Sequence, residues 1–177
     1  VYDMTVRAAK EAALGSGAVL RHVTAGKLRR TDIAKIRQIA PKIILVAGGV
    51  DYGERDTALY NFEMIASQVP GIPIIYAGNI ENHDEIRLIA EELGTEVFYV
   101  ENCYPCIDQL NIEPTRIIIQ DVFEKHIIHS PGMEKIHEMV DSTIMPTPGA
   151  VMQAAKMAYE TFEDLVVFDV GGATTDL

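Results

Sequence analysis

Ile43-Ile44-Leu45-Val46-Ala47-Gly48-Gly49-Val50-Asp51 is the stretch that decides the fold. An unbroken apolar run enters a glycine pair and then an acid, the pattern of a strand buried on both faces that feeds a tight turn. Beyond it, Asp56 to Val69 sets Leu59, Phe62, Ile65 and Ala66 along one helical face. Pro70-Gly71 closes that helix, and Ile72 to Tyr76 is a second apolar strand. The unit then repeats. Asn82 stands where a helix cap belongs, Ile86, Ile89, Ala90 and Leu93 form the helical stripe, Gly94 ends it, and Val97 to Val100 is the next strand.

Upstream, Thr5 takes the cap position of a helix carrying Val6, Ala9, Ala13 and Leu14, with Gly15 and Gly17 ending the run. Ala18 to Val23 reads as a short strand. Thr31 and Asp32 open a helix bearing Ile33, Ile36 and Ile39, which Pro41 stops. Apolar strands alternating with amphipathic helices call for a parallel sheet covered on both faces with right-handed crossovers. The expectation is therefore an α/β fold, a three-layer Rossmann-like or flavodoxin-like parallel sheet with C-terminal helices. Those helices are read from the change of pattern after Asn111: Pro114 to about Ser130, Met133 to Val140, and Pro146 to about Phe162. Leu165 to Asp169 reads as a last buried strand.

A chain of 177 residues implies one domain, or one plus a trailing piece of a neighbour, and buries roughly 70% of its unfolded surface. No apolar run approaches the ~20 residues that cross a bilayer. The formal net charge of −11 argues against nucleic acid, which needs a basic surface to displace counterions. Two cysteines provide no disulfide framework, which suits a reducing cytoplasm.

Ligands of open α/β sheets bind at the carboxyl ends of the strands. Gly48, Gly49 and Asp51 stand there after one strand, Gly78 and Asn79 after the next, and Glu101 and Asn102 after the third. Such a rim suits a cationic, polar or protein ligand better than a dianionic phosphate. The alternative is that the glycines serve only tight strand-to-helix turns, since neither loop has the Gly-x-Gly-x-x-Gly or Walker spacing. Cys103 and Cys106 form a C-x-x-C, with His126 and His129 on a later helix. The histidine spacing is shorter than zinc sites use, so no metal is assigned and the thiols read as structural. His22, His83 and His137 have no partner that the sequence identifies.

The chain closes on Asp169-Val170-Gly171-Gly172-Ala173-Thr174-Thr175-Asp176-Leu177. A glycine pair lets backbone N–H groups approach an anion, the threonine hydroxyls add donors, and an acid at the strand end can hold a hydrated metal ion. Since the chain also starts at Val1, it reads as an excised piece of a longer protein. The Asp-x-Gly-Gly-x-Thr-x-Asp pattern resembles the second phosphate loop of the actin, Hsp70 and sugar-kinase ATPases. Ala12-Ala13-Leu14-Gly15-Ser16-Gly17-Ala18, Ile44 to Asp51, Ala77-Gly78-Asn79, Asn111-Ile112-Glu113-Pro114 and Met145-Pro146-Thr147-Pro148 resemble the MutL family of cobalamin-mutase operons. These are accessory ATPases beside glutamate mutase, distinct from the mismatch-repair protein of the same name, and the family generally lacks both thiols of the C-x-x-C.

The resemblance implies a piece lying between the two phosphate loops of a reactivating chaperone for a cobalamin-dependent mutase, with ATP and Mg2+ as cofactors of the whole protein. It implies that Asp169 positions the magnesium-bound nucleotide, that Gly171, Gly172, Ala173, Thr174 and Thr175 wrap its phosphates, and that Asp176 supports the loop exit. Residues 1–145 would be a Rossmann-like insert that contacts the client or transmits closure, and 146–177 part of the ATPase core. The competing expectation is a small-ligand-binding or enzymatic domain that uses the Gly48-Gly49 and Gly78-Asn79 rim.

Overall fold

A computed structural model describes residues 2–127, 139–140, 147–162, 164–171 and 175–176. The chain divides into two compact units, Val1–Val122 and Phe123–Leu177.

The first unit is an α/β sandwich. Its three strands, β1 (Ile44–Val46), β2 (Ile74–Tyr76) and β3 (Val97–Tyr99), pair in parallel in the order β1-β2-β3. The register sets Leu45 beside Ile75 and Ile75 beside Phe98. Central β2 is wholly buried, as its unbroken Ile-Ile-Tyr requires.

Alternation along the strands assigns the two faces. Val46, Ile74 and Tyr76 pack with Ile33 and Ile36 of α2 (Arg30–Ile39), Phe62 and Ile65 of α3 (Asp56–Gln68), and Ile86 of α4 (His83–Leu93). Leu45, Ile75 and Phe98 pack on the other side with Ala13 of α1 (Tyr2–Gly15) and with Ile119 and Val122 of α5 (Glu113–Ile127). Three layers result, as the apolar runs predict. Arg116 of α5 donates to the carbonyl of Gly15 at 3.0 Å, which fastens the end of α1 to α5. At the end of α4, Gly94 adopts φ +63° and Thr95 N–H returns to Ala90 O at 2.9 Å, the stop that its lack of a Cβ permits.

Three local expectations are corrected. Ala18 to Val23 forms no strand: Val19 and Val23 are exposed, and only Ala18 and Leu20 reach the core, so the segment crosses the surface without a ladder. α1 begins at Tyr2, ahead of Thr5, which is buried within the helix. α2 begins at Arg30, with Asp32 reaching back to accept from Arg29 N–H at 2.8 Å. Asn82 holds the N-cap position of α4 as expected, but its side chain makes no capping bond there; the side-chain cap belongs to the short 3-10 turn just ahead, Ile80–Asn82, where Asn79 Oδ1 accepts from Glu81 N–H at 3.0 Å.

In the second unit α6 (Thr147–Tyr159) is followed by β4 (Asp169–Val170), which pairs antiparallel with β5 (Thr175–Asp176). The run from Leu165, expected as a buried strand, has Leu165, Val166 and Phe168 exposed and enters a ladder only at Asp169. The expected helix over Met133 to Val140 lies almost wholly outside the described residues, as do Ser130 and Pro146 at the ends of its neighbours. No helix of the described residues is long and apolar enough to cross a membrane.

Candidate functional site at the carboxyl end of the sheet

The three loops that leave the carboxyl ends of β1, β2 and β3 meet in one hydrogen-bonded network. Asn79, fully buried, is its hub. Its Oδ1 accepts from Tyr52 N–H at 3.2 Å and Glu81 N–H at 3.0 Å, and its Nδ2 donates to the carbonyls of Gly53 at 3.4 Å and Glu54 at 3.3 Å. Its backbone N–H donates to Gly48 O at 3.0 Å. An amide side chain offers two donors and two acceptor sites, and here all four are used.

Asn102 plays the matching part from the β3 loop. Its Nδ2 donates to Gly49 O at 3.0 Å and Asp51 Oδ1 at 2.9 Å, and its Oδ1 accepts from Tyr104 N–H at 3.0 Å. Asp51 Oδ1 accepts a second bond from Ile80 N–H at 3.0 Å, while Asp51 N–H donates to Pro105 O at 2.9 Å. Glu101 lies at the edge, accepting from Asn111 Nδ2 at 3.1 Å. Beneath them Tyr76 OH donates to Asn79 O at 3.1 Å and accepts from Asn82 Nδ2 at 3.0 Å, and burial pushes the phenol's pKa well above its ordinary value.

The glycines serve this closeness. Gly49 adopts φ +71°, and a Cβ there would collide with the Glu54 carbonyl. A Cβ on Gly78 would stand 2.8 Å from Gly48 O and 2.9 Å from Tyr76 OH, and one on Gly48 3.1 Å from Ala58 Cβ. The rim residues expected from sequence, Gly48, Gly49, Asp51, Gly78, Asn79 and Asn102, are thus brought together, but their polar atoms are directed at one another. The strand order carries the same message. Crevices for ligands open where the order reverses and successive helices go to opposite faces. Here the order runs straight, with α3 and α4 side by side on one face.

Sequence reasoning missed Tyr76, Asn82 and Tyr104 as members of this end of the domain. The one available signal was the recurrence of Asp or Asn shortly after each strand. His83 packs its ring between Tyr76 and Tyr99, each with centroids 5.5 Å away, and its Nε2 is buried with no hydrogen-bond partner among the described residues. Burial lowers its pKa. Cys103 is buried, which pushes its thiol up to about 12, whereas Cys106 is exposed. The described residues hold no cluster of three or more potential metal ligands, and His129 and His137 lie outside them.

At the chain's end, Asp169 stands opposite Asp176 and Val170 opposite Thr175 in the β4–β5 ladder. Asp169 is half-buried and Gly171 exposed, while Gly172, Ala173 and Thr174 lie outside the described residues.

Sheet and rim together define an α/β domain of the Rossmann-like or flavodoxin-like class, its loop end held by side-chain amides. The chain belongs to the MutL protein family, whose profile matches residues 1–177. Protein MutL of Clostridium tetanomorphum is 37% identical over 183 residues, covering all of this chain and 40% of the relative. The chain therefore spans about two fifths of the length of that curated relative. No solved structure matches it.

Proposed function

We propose that this chain is a portion of a longer, cytoplasmic, ATP-dependent accessory protein that reactivates an adenosylcobalamin-dependent aminomutase, with glutamate mutase as the client. The observation that carries the reading is Asp-Val-Gly-Gly-Ala-Thr-Thr-Asp at 169–176, in a chain that belongs to the MutL family along its whole length. Its flanks pair antiparallel, Asp169 with Asp176 and Val170 with Thr175. The sequence between those flanks, two glycines, an alanine and a threonine, has side chains small enough to let backbone N–H groups approach phosphate oxygens.

On this reading Asp169 positions the magnesium-bound nucleotide from the ladder, while Gly171, Gly172, Ala173, Thr174 and Thr175 hold its phosphates. ATP, when bound, supplies the free energy for a change of shape in the accessory protein. Residues 1–145 form the insert that faces the client, and 146–177 belong to the ATPase core of the actin, Hsp70 and sugar-kinase superfamily.

The test uses the full-length protein. Calorimetry should show ATP–Mg binding that Asp169→Ala abolishes, and Gly172→Val should stop ATP-dependent rescue of inactivated glutamate mutase without changing the circular-dichroism melt. Full rescue by Gly172→Val, or ATP binding indifferent to Asp169, would refute the reading.

A further inference from the structure

The loops joined by this network also carry three large apolar side chains exposed to solvent. Tyr52 is 80% exposed, Ile107 70% and Ile80 49%, one from each strand-exit loop. Their backbones are tied together. Tyr52 N–H bonds Asn79 at 3.2 Å, the adjoining Ile80 N–H bonds Asp51 at 3.0 Å, and Asp51 N–H bonds Pro105, two residues before Ile107, at 2.9 Å.

Tyr52 stands in the left-handed region at φ +61°, where a side chain is strained and a bulky residue is a true outlier. Strain of this kind persists only where surrounding contacts impose it, and it gathers at functional positions. Burial of the ring does not offset it, because the ring is in water. Asp108, beside Ile107, is also left-handed at φ +60°.

The surroundings have one sign. Residues 47–55, 77–82 and 100–112 carry five carboxylates (Asp51, Glu54, Glu81, Glu101 and Asp108) and a single guanidinium, Arg55, itself paired with Glu81 at 3.5 Å. An exposed aromatic on a loop hydrogen-bonded to two others that each expose an aliphatic side chain, all three rich in carboxylates, has the composition of a protein interface with its anchor. A second copy would bring the same carboxylates against these, and nucleic acid or an anionic membrane would be repelled likewise. The occupant that complements this face is a basic protein surface with a pocket for a phenol ring.

We propose that Tyr52, Ile80 and Ile107 form the docking face for a basic patch on the client enzyme, with the Tyr52 ring as the inserted anchor. The proposal rests on the accessory-protein reading above. It is tested by titrating glutamate mutase against the full-length protein and its Tyr52→Gly variant. Glycine is chosen because it removes the ring and relieves the left-handed strain together, so a merely structural Tyr52 predicts no loss of affinity.

The expected result is at least a tenfold weaker dissociation constant for Tyr52→Gly, the size of an anchor residue, with a melting temperature equal to or above the wild type. Tyr52→Phe should retain most of the affinity. Wild-type association should slow as NaCl rises from about 50 to about 300 mM. Binding by the wild type that Tyr52→Gly leaves unchanged would overturn the docking face and spare the functional reading. Absence of binding by the wild type would overturn both.

Discussion

Asn102 reaches Asp51 with a 2.9 Å hydrogen bond that joins the exits of β3 and β1, two strands that do not touch. The bond closes over the end of β2, so the loops of all three strands become one piece. Each strand has only three paired residues. Much of the cohesion at this end must therefore come from side chains rather than from the ladder.

Asn102→Ala should lower stability by roughly 2–3 kcal/mol, because it takes the side-chain donor from the Gly49 carbonyl and the acceptor from Tyr104 N–H, and leaves Asp51 Oδ1 with the Ile80 N–H alone. Asp51→Ala should cost a similar amount. Urea unfolding of the single and double variants gives the coupling, expected at about 1 kcal/mol or more for residues in direct contact. Additive losses would show that the bond does not join the loops energetically.

Gly49→Ala and Gly94→Ala separate conformational strain from collision. Both glycines are left-handed, at φ +71° and +63°, but a Cβ on Gly94 meets nothing within 4 Å while one on Gly49 runs into Glu54. Gly94→Ala should cost about 1 kcal/mol, the strain alone. Gly49→Ala should cost about 3 kcal/mol or more, since the loop must also move. Thermal or urea melts of the two variants make the comparison.

His83 gives the fold a pH dependence of definite sign. Burial lowers its pKa in the folded chain below the ordinary value of 6.5, so the unfolded chain binds the proton more readily. The contribution is intact above the unfolded value and fades as the pH falls from there through the lowered folded value. Wild-type stability should thus decline on acidification below roughly pH 6.5, and His83→Gln should flatten that part of the profile. An identical acid limb in both proteins would contradict this.

The two thiols should differ in reactivity. Cys106 is exposed and should react at once with a disulfide reagent at neutral pH, whereas Cys103, buried and with its pKa pushed up to about 12, should react only after denaturation. One thiol titrated in the native protein and two in urea is the expected count. Cys106→Ser should remove the native signal entirely.

The sandwich was legible because its strands are uninterrupted apolar runs and its helices carry regular stripes, two periods that local sequence expresses directly. Ala18 to Val23 misled for the same reason: Val19, Leu20 and Val23 have strand composition, but a strand also needs a partner, which no single segment encodes. The polar hub was visible only as a list of residues. Gly48, Gly49, Asp51, Gly78, Asn79 and Asn102 were correctly brought to one end of the sheet. That their polar atoms would be consumed by one another depends on bonds spanning from 25 to 53 residues of sequence. The missing capping bond of Asn82, which does hold the N-cap position of α4, has the same origin. Asn82 is drawn away to Arg55 O, 3.0 Å distant and 27 residues earlier.

A surface fastened this tightly has little conformational freedom left to lose. Most associations surrender part of their contact energy to the ordering of loops and side chains, and a face whose loops are already hydrogen-bonded to one another has less of that loss to meet. The reorganisation on meeting it then falls to the other partner. For a protein proposed to act on damaged enzymes, this end would serve as the template, and any yielding would take place in the molecule under repair.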